Sequence, residues 1–173
     1  MNADELRAKQ APLKQLYRDN PAAALIPAHA EGTLDLNDVA ISVRSWHGDT
    51  TAGLHKAGGG SGELACSADM LVEAMVACAG VTLRAVATAM GVTIRSVKVS
   101  ADGIWDARGT LAIDRSAPVG LTEVTLRFDI DSDADQAKLE RMIQTTERYC
   151  VILQTLKNPP KLSVAFPTRH GPA

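Results

Sequence analysis

Hydrophobic positions along this chain change period several times, and each change marks an element. Between Gly32 and Trp46 they alternate, with Leu34 and Leu36 before Asn37-Asp38 and Val39, Ile41 and Val43 after it. Alternation is the period of a half-buried strand and Asn-Asp favours a tight turn, so a β-hairpin is expected. From Met70 to Leu83 apolar residues instead occupy nearly every helical face. The pattern predicts a helix from Ser67, whose hydroxyl can cap the free amides while Asp69 complements the dipole, to Gly91, suited to a left-handed cap. Such a helix is buried rather than amphipathic. Asp69, Glu73 and Arg84 interrupt the run and disfavour a membrane span.

Residues 3–20 read as a further helix, with Leu6, Leu13, Leu16 and Tyr17 on its apolar side and Pro12 breaking or kinking it. A Pro- and Ala-rich connector follows to Pro27, so residues 1–30 form an arm and residues 31–173 the domain proper. The stretch from His47 to Cys66 contains Gly58, Gly59, Gly60 and Gly62 and is expected to be a loop without regular structure. Strands are predicted at Val92 to Trp105, Thr110 to Ile113 and Leu121 to Ile130, then a helix over 133–147 with Ser132 and Asp135 at its start. A short helix runs from Val151 to Leu156, Asn158-Pro159-Pro160 stops it, and Lys161 to Phe166 reads as a closing strand. The order gives an α+β domain with antiparallel pairing. A helix apolar all round needs cover on both sides, which a second copy of the chain supplies; a homodimer is expected.

Composition narrows the function. A formal net charge of -2 gives no polyanion footprint, so nucleic acid is not an expected partner, and 3% aromatics leave few stacking platforms. The polar, mixed-charge start Met1-Asn2-Ala3-Asp4-Glu5 lacks the basic and apolar segments of a secretory signal, which reads as cytoplasmic. Three cysteines, an odd number, argue against a structural disulfide framework.

Cys78 sits within the apolar helix, Cys150 follows Glu147-Arg148-Tyr149, and Cys66 precedes the helix. Twelve residues of helix would hold Cys66 and Cys78 roughly 18 Å apart, far beyond disulfide reach. Cys78 with Cys150 remains open, as redox chemistry or as two small core residues. His47 and His55 flank the glycine loop without any Cys-x-x-Cys or His-Glu-x-x-His spacing, so neither a metal nor a cofactor is expected. The loop also lacks the Gly-Lys-Ser/Thr ending of a phosphate-binding loop.

The segment Ser67-Ala68-Asp69-Met70-Leu71-Val72-Glu73-Ala74-Met75-Val76-Ala77-Cys78 resembles the cysteine helix of the OsmC/Ohr family, roughly Pro-x-Glu-Leu-Leu-x-Ala-x-x-x-Cys. Gly91-Val92 leading into a strand, Asp106-Ala107-Arg108-Gly109 in a hairpin, and Cys150 opening a helix with Gln154-Thr155-Leu156 agree with it over residues 31–166. Val151, where the family often has proline, and the additional Cys66 mark a divergent branch. The resemblance implies antiparallel sheets wrapped around a long buried cysteine helix in an intertwined homodimer that reduces organic or fatty-acid hydroperoxides. It implies Cys78 as the thiol that attacks the peroxide, Cys150 as the thiol that resolves the sulfenic acid, and a dithiol reductant such as a lipoyl protein. The arginine and glutamate that orient the thiolate in that family carry over to Arg44 and to Asp69, with Glu73 one turn further in. Two other readings stand beside it: a non-enzymatic module in which Cys78 is core and the glycine loop closes over a small apolar ligand, and a plain structural dimer.

Overall fold

The computed structural model describes residues 1–45 and 47–166. Helix α1 (Ala3–Asp19) opens with a reciprocal capping box between Asn2 and Glu5, and a 3-10 turn at Pro21–Ala24 fills part of the connector. Strands β1 (Glu31–Leu34), β2 (Ala40–Ser45) and β3 (Gly48–Gly53) form a three-stranded antiparallel sheet in chain order. Helix α2 (Ser67–Met90) leads to β4 (Ile94–Trp105), a single turn α3 (Ala107–Thr110) and β5 (Leu121–Ser132), which pairs antiparallel with β4. Helices α4 (Gln136–Tyr149) and α5 (Val151–Lys157) end the regular structure. The α+β order read from the sequence is present.

The core lies where the C-terminal half of α2 crosses the β4–β5 ribbon and α4. Leu83, Val86, Ala87, Val92 and Met142 are buried together, with Val99, Phe128 and Ile130 closing on them from the sheet. Val99 and Phe128 are direct cross-strand partners, so one face of the ribbon presents a contiguous apolar surface. Helix α2 stops cleanly because Gly91 takes the left-handed conformation at φ 61°. Its N–H reaches back to Thr88 and that of Val92 to Ala87, satisfying carbonyls that the helix end would leave open.

Several expectations are corrected. Helix α1 runs through Pro12 without a break, because the carbonyl of Ala8 that loses its partner belongs to an exposed residue where water can serve it. Leu6 and Tyr17 of its expected apolar side are half-buried, whereas Leu13 and Leu16 are exposed. The stretch after Trp46, itself outside the described residues, is not all loop: Gly48–Gly53 is a strand, since a ladder needs backbone N–H and C=O rather than large side chains. Cys66, not Ser67, is the cap residue of α2, and no side chain completes that cap. Residues 110–113 do not form a strand. Asp106 accepts from the Arg108 amide, and the amides of Leu111 and Ile113 bond back to Ala107 and Arg108, so the donors a sheet would need are spent locally. For the same reason Asp106 to Gly109 form a capped helical turn between the paired strands. Asp135, not Ser132, caps α4, while the Ser132 hydroxyl donates to the Thr93 carbonyl. Lys161–Phe166 has no ladder partner among the described residues and is not a strand; Leu162, Val164 and Phe166 lie exposed.

Helix α2 is also less covered within one protomer than its sequence suggests. Met75, Ala79, Leu83, Val86 and Ala87 form one buried stripe, but Val81 on another face is 73% exposed. The β1–β3 sheet is joined to the body mainly through a bridge between Ala52 and Ala65 and through the edge-on contact of His55 with Trp105, ring centroids 5.6 Å apart.

A Gly91→Ala substitution should lower unfolding stability in urea by about 1 kcal/mol, because a Cβ there meets no atom within 4 Å and the cost is that of the left-handed backbone alone. An unchanged midpoint would contradict the role assigned to this cap.

Candidate functional site

The backbone leaves helical geometry at Cys150, with φ -72° and ψ 107°, so this one residue ends α4 and begins α5. Its amide still donates to the Thr146 carbonyl at 2.9 Å, and its carbonyl accepts from the Gln154 amide at 2.9 Å. The Gln154 side chain returns to the Glu147 carbonyl at 2.8 Å, and Lys157 pairs with the Glu147 carboxylate at 3.1 Å. The break is therefore stitched on both sides. It leaves the first-turn amides of α5 without partners inside their own helix.

Those amides meet sulfur. Cys78 lies midway along α2 beside the buried stripe of Met75, Ala79 and Leu83, on a helix that packs against both α4 and α5. Its half-buried sulfur contacts the amides of Ile152 and Val151, the Cys150 thiol and the hydroxyl of Thr82. Burial is the largest single influence on Cys78 and opposes the thiolate. The Ile152 amide, the Cys150 thiol, the Val151 amide and the Thr82 hydroxyl together outweigh it, and the thiol ionises below its ordinary value. Cys150, fully buried, moves the other way. Burial raises it first, the neighbouring Cys78 raises it further as acceptor and as charge, and the amides of Leu153 and Ile152 offset only part of this. Both cysteines are free thiols. The arrangement favours the anion at Cys78 and the acid at Cys150.

The other expected site residues are not among these contacts. Arg44 lies exposed on β2, where its guanidinium stands 3.8 Å from the carboxylate of Asp49, its cross-strand neighbour. Asp69 and Glu73 are exposed on α2; Asp69, nine residues before Cys78, is about 13 Å away along the axis, and Glu73, five before it, misses the three- or four-residue spacing that joins helix neighbours. Among the described residues, no charged side chain is a cause of the shift at Cys78 or Cys150. Thr82 and the α5 amides were not singled out from the sequence. The signal for Thr82 was its position four residues after Cys78 on the same helix; the amides carry no residue signature at all.

Cys66 is remote from the pair at the head of α2. It borders a cavity of about 410 Å³, together with Leu54, His55, Leu71, Trp105 and Leu121. His55 is held there by accepting, at Nδ1, from the Ala57 amide at 3.0 Å.

Brief iodoacetamide treatment of the reduced protein at neutral pH should therefore label Cys78 ahead of Cys150. The Cys78 rate should fall away only as pH drops through a value below the ordinary thiol range near 8.5, since a lowered pKa keeps the reactive anion present to lower pH. Equal labelling of the two in peptide maps would contradict this order.

The family model for OsmC-like protein matches residues 60–165. No curated protein matches the chain. Among solved structures, an OsmC like protein from Mycoplasma pneumoniae is similar at 17% identity and a TM-score of 0.65, over 78% of this chain and 90% of the other. An organic hydroperoxide resistance protein from Elizabethkingia anophelis aligns at 18% identity and 0.63, over 78% and 91%. Another organic hydroperoxide resistance protein, from Legionella pneumophila, aligns at 16% and 0.59, over 78% and 91%. At these identities the solved structures speak for the fold; with the family match across more than half of its length, the chain belongs to the OsmC-like protein family.

Proposed function

We propose that the protein is a thiol-dependent peroxidase that reduces organic hydroperoxides through Cys78 and Cys150. The observation that carries this reading is the direct contact of the two free thiols, with Cys78 favoured as anion and Cys150 as acid. The Cys78 thiolate attacks the terminal peroxide oxygen, an S–O bond forms as O–O breaks, and the leaving alkoxide takes a proton to become the alcohol. Cys78 is then an uncharged sulfenic acid. At that point the charge that held the Cys150 proton has gone, while the Leu153 and Ile152 amides remain to favour its anion. The Cys150 sulfur attacks Cys78, S–S forms, S–O breaks, and water leaves. A dithiol, such as a lipoyl group on a partner protein, returns two electrons and two protons to the disulfide. Within one chain, activation in this reading comes from neutral donors.

An intertwined homodimer is part of the same proposal, with residues 31–173 as the working domain and residues 1–30 as an arm, whose helix α1 lies on α2. Supporting it are the exposed Val81 on α2, the β1–β3 sheet with little body of its own to cover, and the exposed, alternating apolar residues Leu162, Val164 and Phe166. A second copy would bury all three. The apolar cavity beside Gly53, Leu54 and Gly58 favours the alternative in which the glycine loop covers a small apolar ligand and no thiol reacts.

One treatment separates the two. After a slight excess of cumene hydroperoxide, free-thiol titration should fall from three per chain to one, and peptide mass mapping should place the disulfide between Cys78 and Cys150. Three remaining thiols, or a linkage through Cys66, would remove the peroxidase reading.

A further inference from the structure

The outer sheet β1–β3 meets the body of the fold through the bridge of Ala52 to Ala65, the edge-on contact of His55 with Trp105, and a 3-10 turn at Lys56–Gly58 that lies against α3. The cavity of about 410 Å³ is walled by the same segments and by the head of α2. Leu54, Leu71, Val119 and Leu121 supply its apolar surface beside His55 and Trp105. Its volume falls in the range of about 300–1,000 Å³ typical of small-molecule sites.

The glycine turn on one side is a fixed wall rather than a flexible lid. The amides of Gly58 and Gly60 both donate to the His55 carbonyl, at 2.8 and 3.0 Å, and that of Gly59 donates to the Lys56 carbonyl at 3.1 Å. The chain then returns to β3, where the Ala65 amide donates to the Thr51 carbonyl at 3.2 Å and the Gly53 amide to the Ala65 carbonyl at 3.0 Å. Gly60 has to be glycine, since a Cβ there would run into the backbone carbonyl of Leu54. Gly58 and Gly120, which also line the cavity, are different. Neither has a positive φ, and a Cβ on either would meet no atom within 4 Å. Backbone and neighbours would both accept a side chain at these two positions, and glycine costs chain entropy. Their missing side chains leave the cavity open.

The lining sets the class of occupant. Among the described residues that line the cavity none is Asp, Glu, Lys or Arg. Its polar groups are the His55 ring, the hydroxyls of Ser67 and Thr110 and the Cys66 thiol. His55 accepts at Nδ1 from the Ala57 amide at 3.0 Å, so the neutral ring carries its proton on Nε2 and has a donor to offer. A charged ligand would leave water without a charged partner, and Asp69 in the first turn already answers the dipole of α2. We propose that this cavity is a binding site for an uncharged, mainly aliphatic small molecule with one oxygen acceptor, the class of a medium-chain alcohol. The site is separate from the thiol pair, because Cys66 at its edge stands roughly 18 Å along α2 from Cys78. It goes beyond the peroxidase reading and does not depend on it: the thiols stay free to react, and no loop has to close.

The test uses the reduced, full-length protein and the uncharged fluorescent probe N-phenyl-1-naphthylamine. The probe should bind saturably, and at pH 8 1-decanol should displace it whereas decanoate at the same concentration should not. Gly58→Leu, whose side chain starts in the open space of the cavity, should weaken probe binding about tenfold or more with an unchanged circular dichroism spectrum. If that variant unfolds, Gly120→Leu carries the same comparison. Saturating 1-decanol should slow iodoacetamide labelling of Cys66 several-fold and leave the Cys78 rate unchanged. Absence of saturable binding, as when a second copy fills the cavity, overturns the proposal. So does undiminished binding in the folded leucine variant, which would place the probe on other apolar surface. Displacement by decanoate as effective as by decanol, or protection of Cys78 in place of Cys66, overturns it as well. No hydroperoxide enters this assay. A Cys78–Cys150 disulfide after cumene hydroperoxide without probe binding would remove the cavity site and spare the peroxidase reading; probe binding without the disulfide would do the reverse.

Discussion

Sulfur at the open end of a broken helix is the interaction on which the site depends. Were α4 to continue through Cys150, the amides of Val151, Ile152 and Leu153 would be consumed by carbonyls one turn earlier, and nothing would compensate a thiolate for leaving water. The departure of Cys150 from helical backbone frees them, and the bonds from Gln154 and Lys157 back to Glu147 keep the two helical pieces in register. Opposite shifts of the two thiols then follow from one geometry. The same junction buries Cys150 and lets it see the charge on Cys78, and both effects raise it.

The rest of the fold delivers Cys78 to that junction. A single helix is anchored over its C-terminal half by Leu83, Val86 and Ala87 against the β4–β5 face and Met142 of α4. Gly91 ends it before the chain turns into β4. With that half fixed, the turn carrying Cys78 and Thr82 has one position relative to α4 and α5. The N-terminal half of α2 is held less firmly within the protomer, and the outer sheet β1–β3 touches the body at few points. Apolar surface is left open both on α2, at Val81, and on the part bearing Arg44, at Leu34 and Val39.

Legibility in the sequence divides along a physical line. Patterns that depend on side-chain type within a few residues could be read: the apolar α2 with Gly91 at its end, the alternating β2 and β5, the helix pair flanking Cys150. Features set by backbone bonding could not. Strand β3 is glycine-rich and was expected to be loop, and residues 110–113 look strand-like yet spend their amides on a turn begun by Asp106. Lys161–Phe166 alternates as a strand should but has no ladder partner among the described residues. At the site, both cysteines could be singled out by position. The backbone amides of Val151, Ile152 and Leu153 that favour their anions could not, because an amide has no residue signature. Arg44, Asp69 and Glu73 were singled out for their charge, while within one chain the causes that favour the Cys78 anion are neutral.

The division of labour between the two thiols is the central claim, and a Cys150→Ser variant tests it most directly. Given one equivalent of cumene hydroperoxide in the presence of dimedone, that variant should accumulate a sulfenic acid trapped as an adduct on Cys78, and a Cys78→Ser variant should trap none on Cys150. An adduct on Cys66 in place of Cys78, or no adduct in the Cys150→Ser variant, would contradict the account.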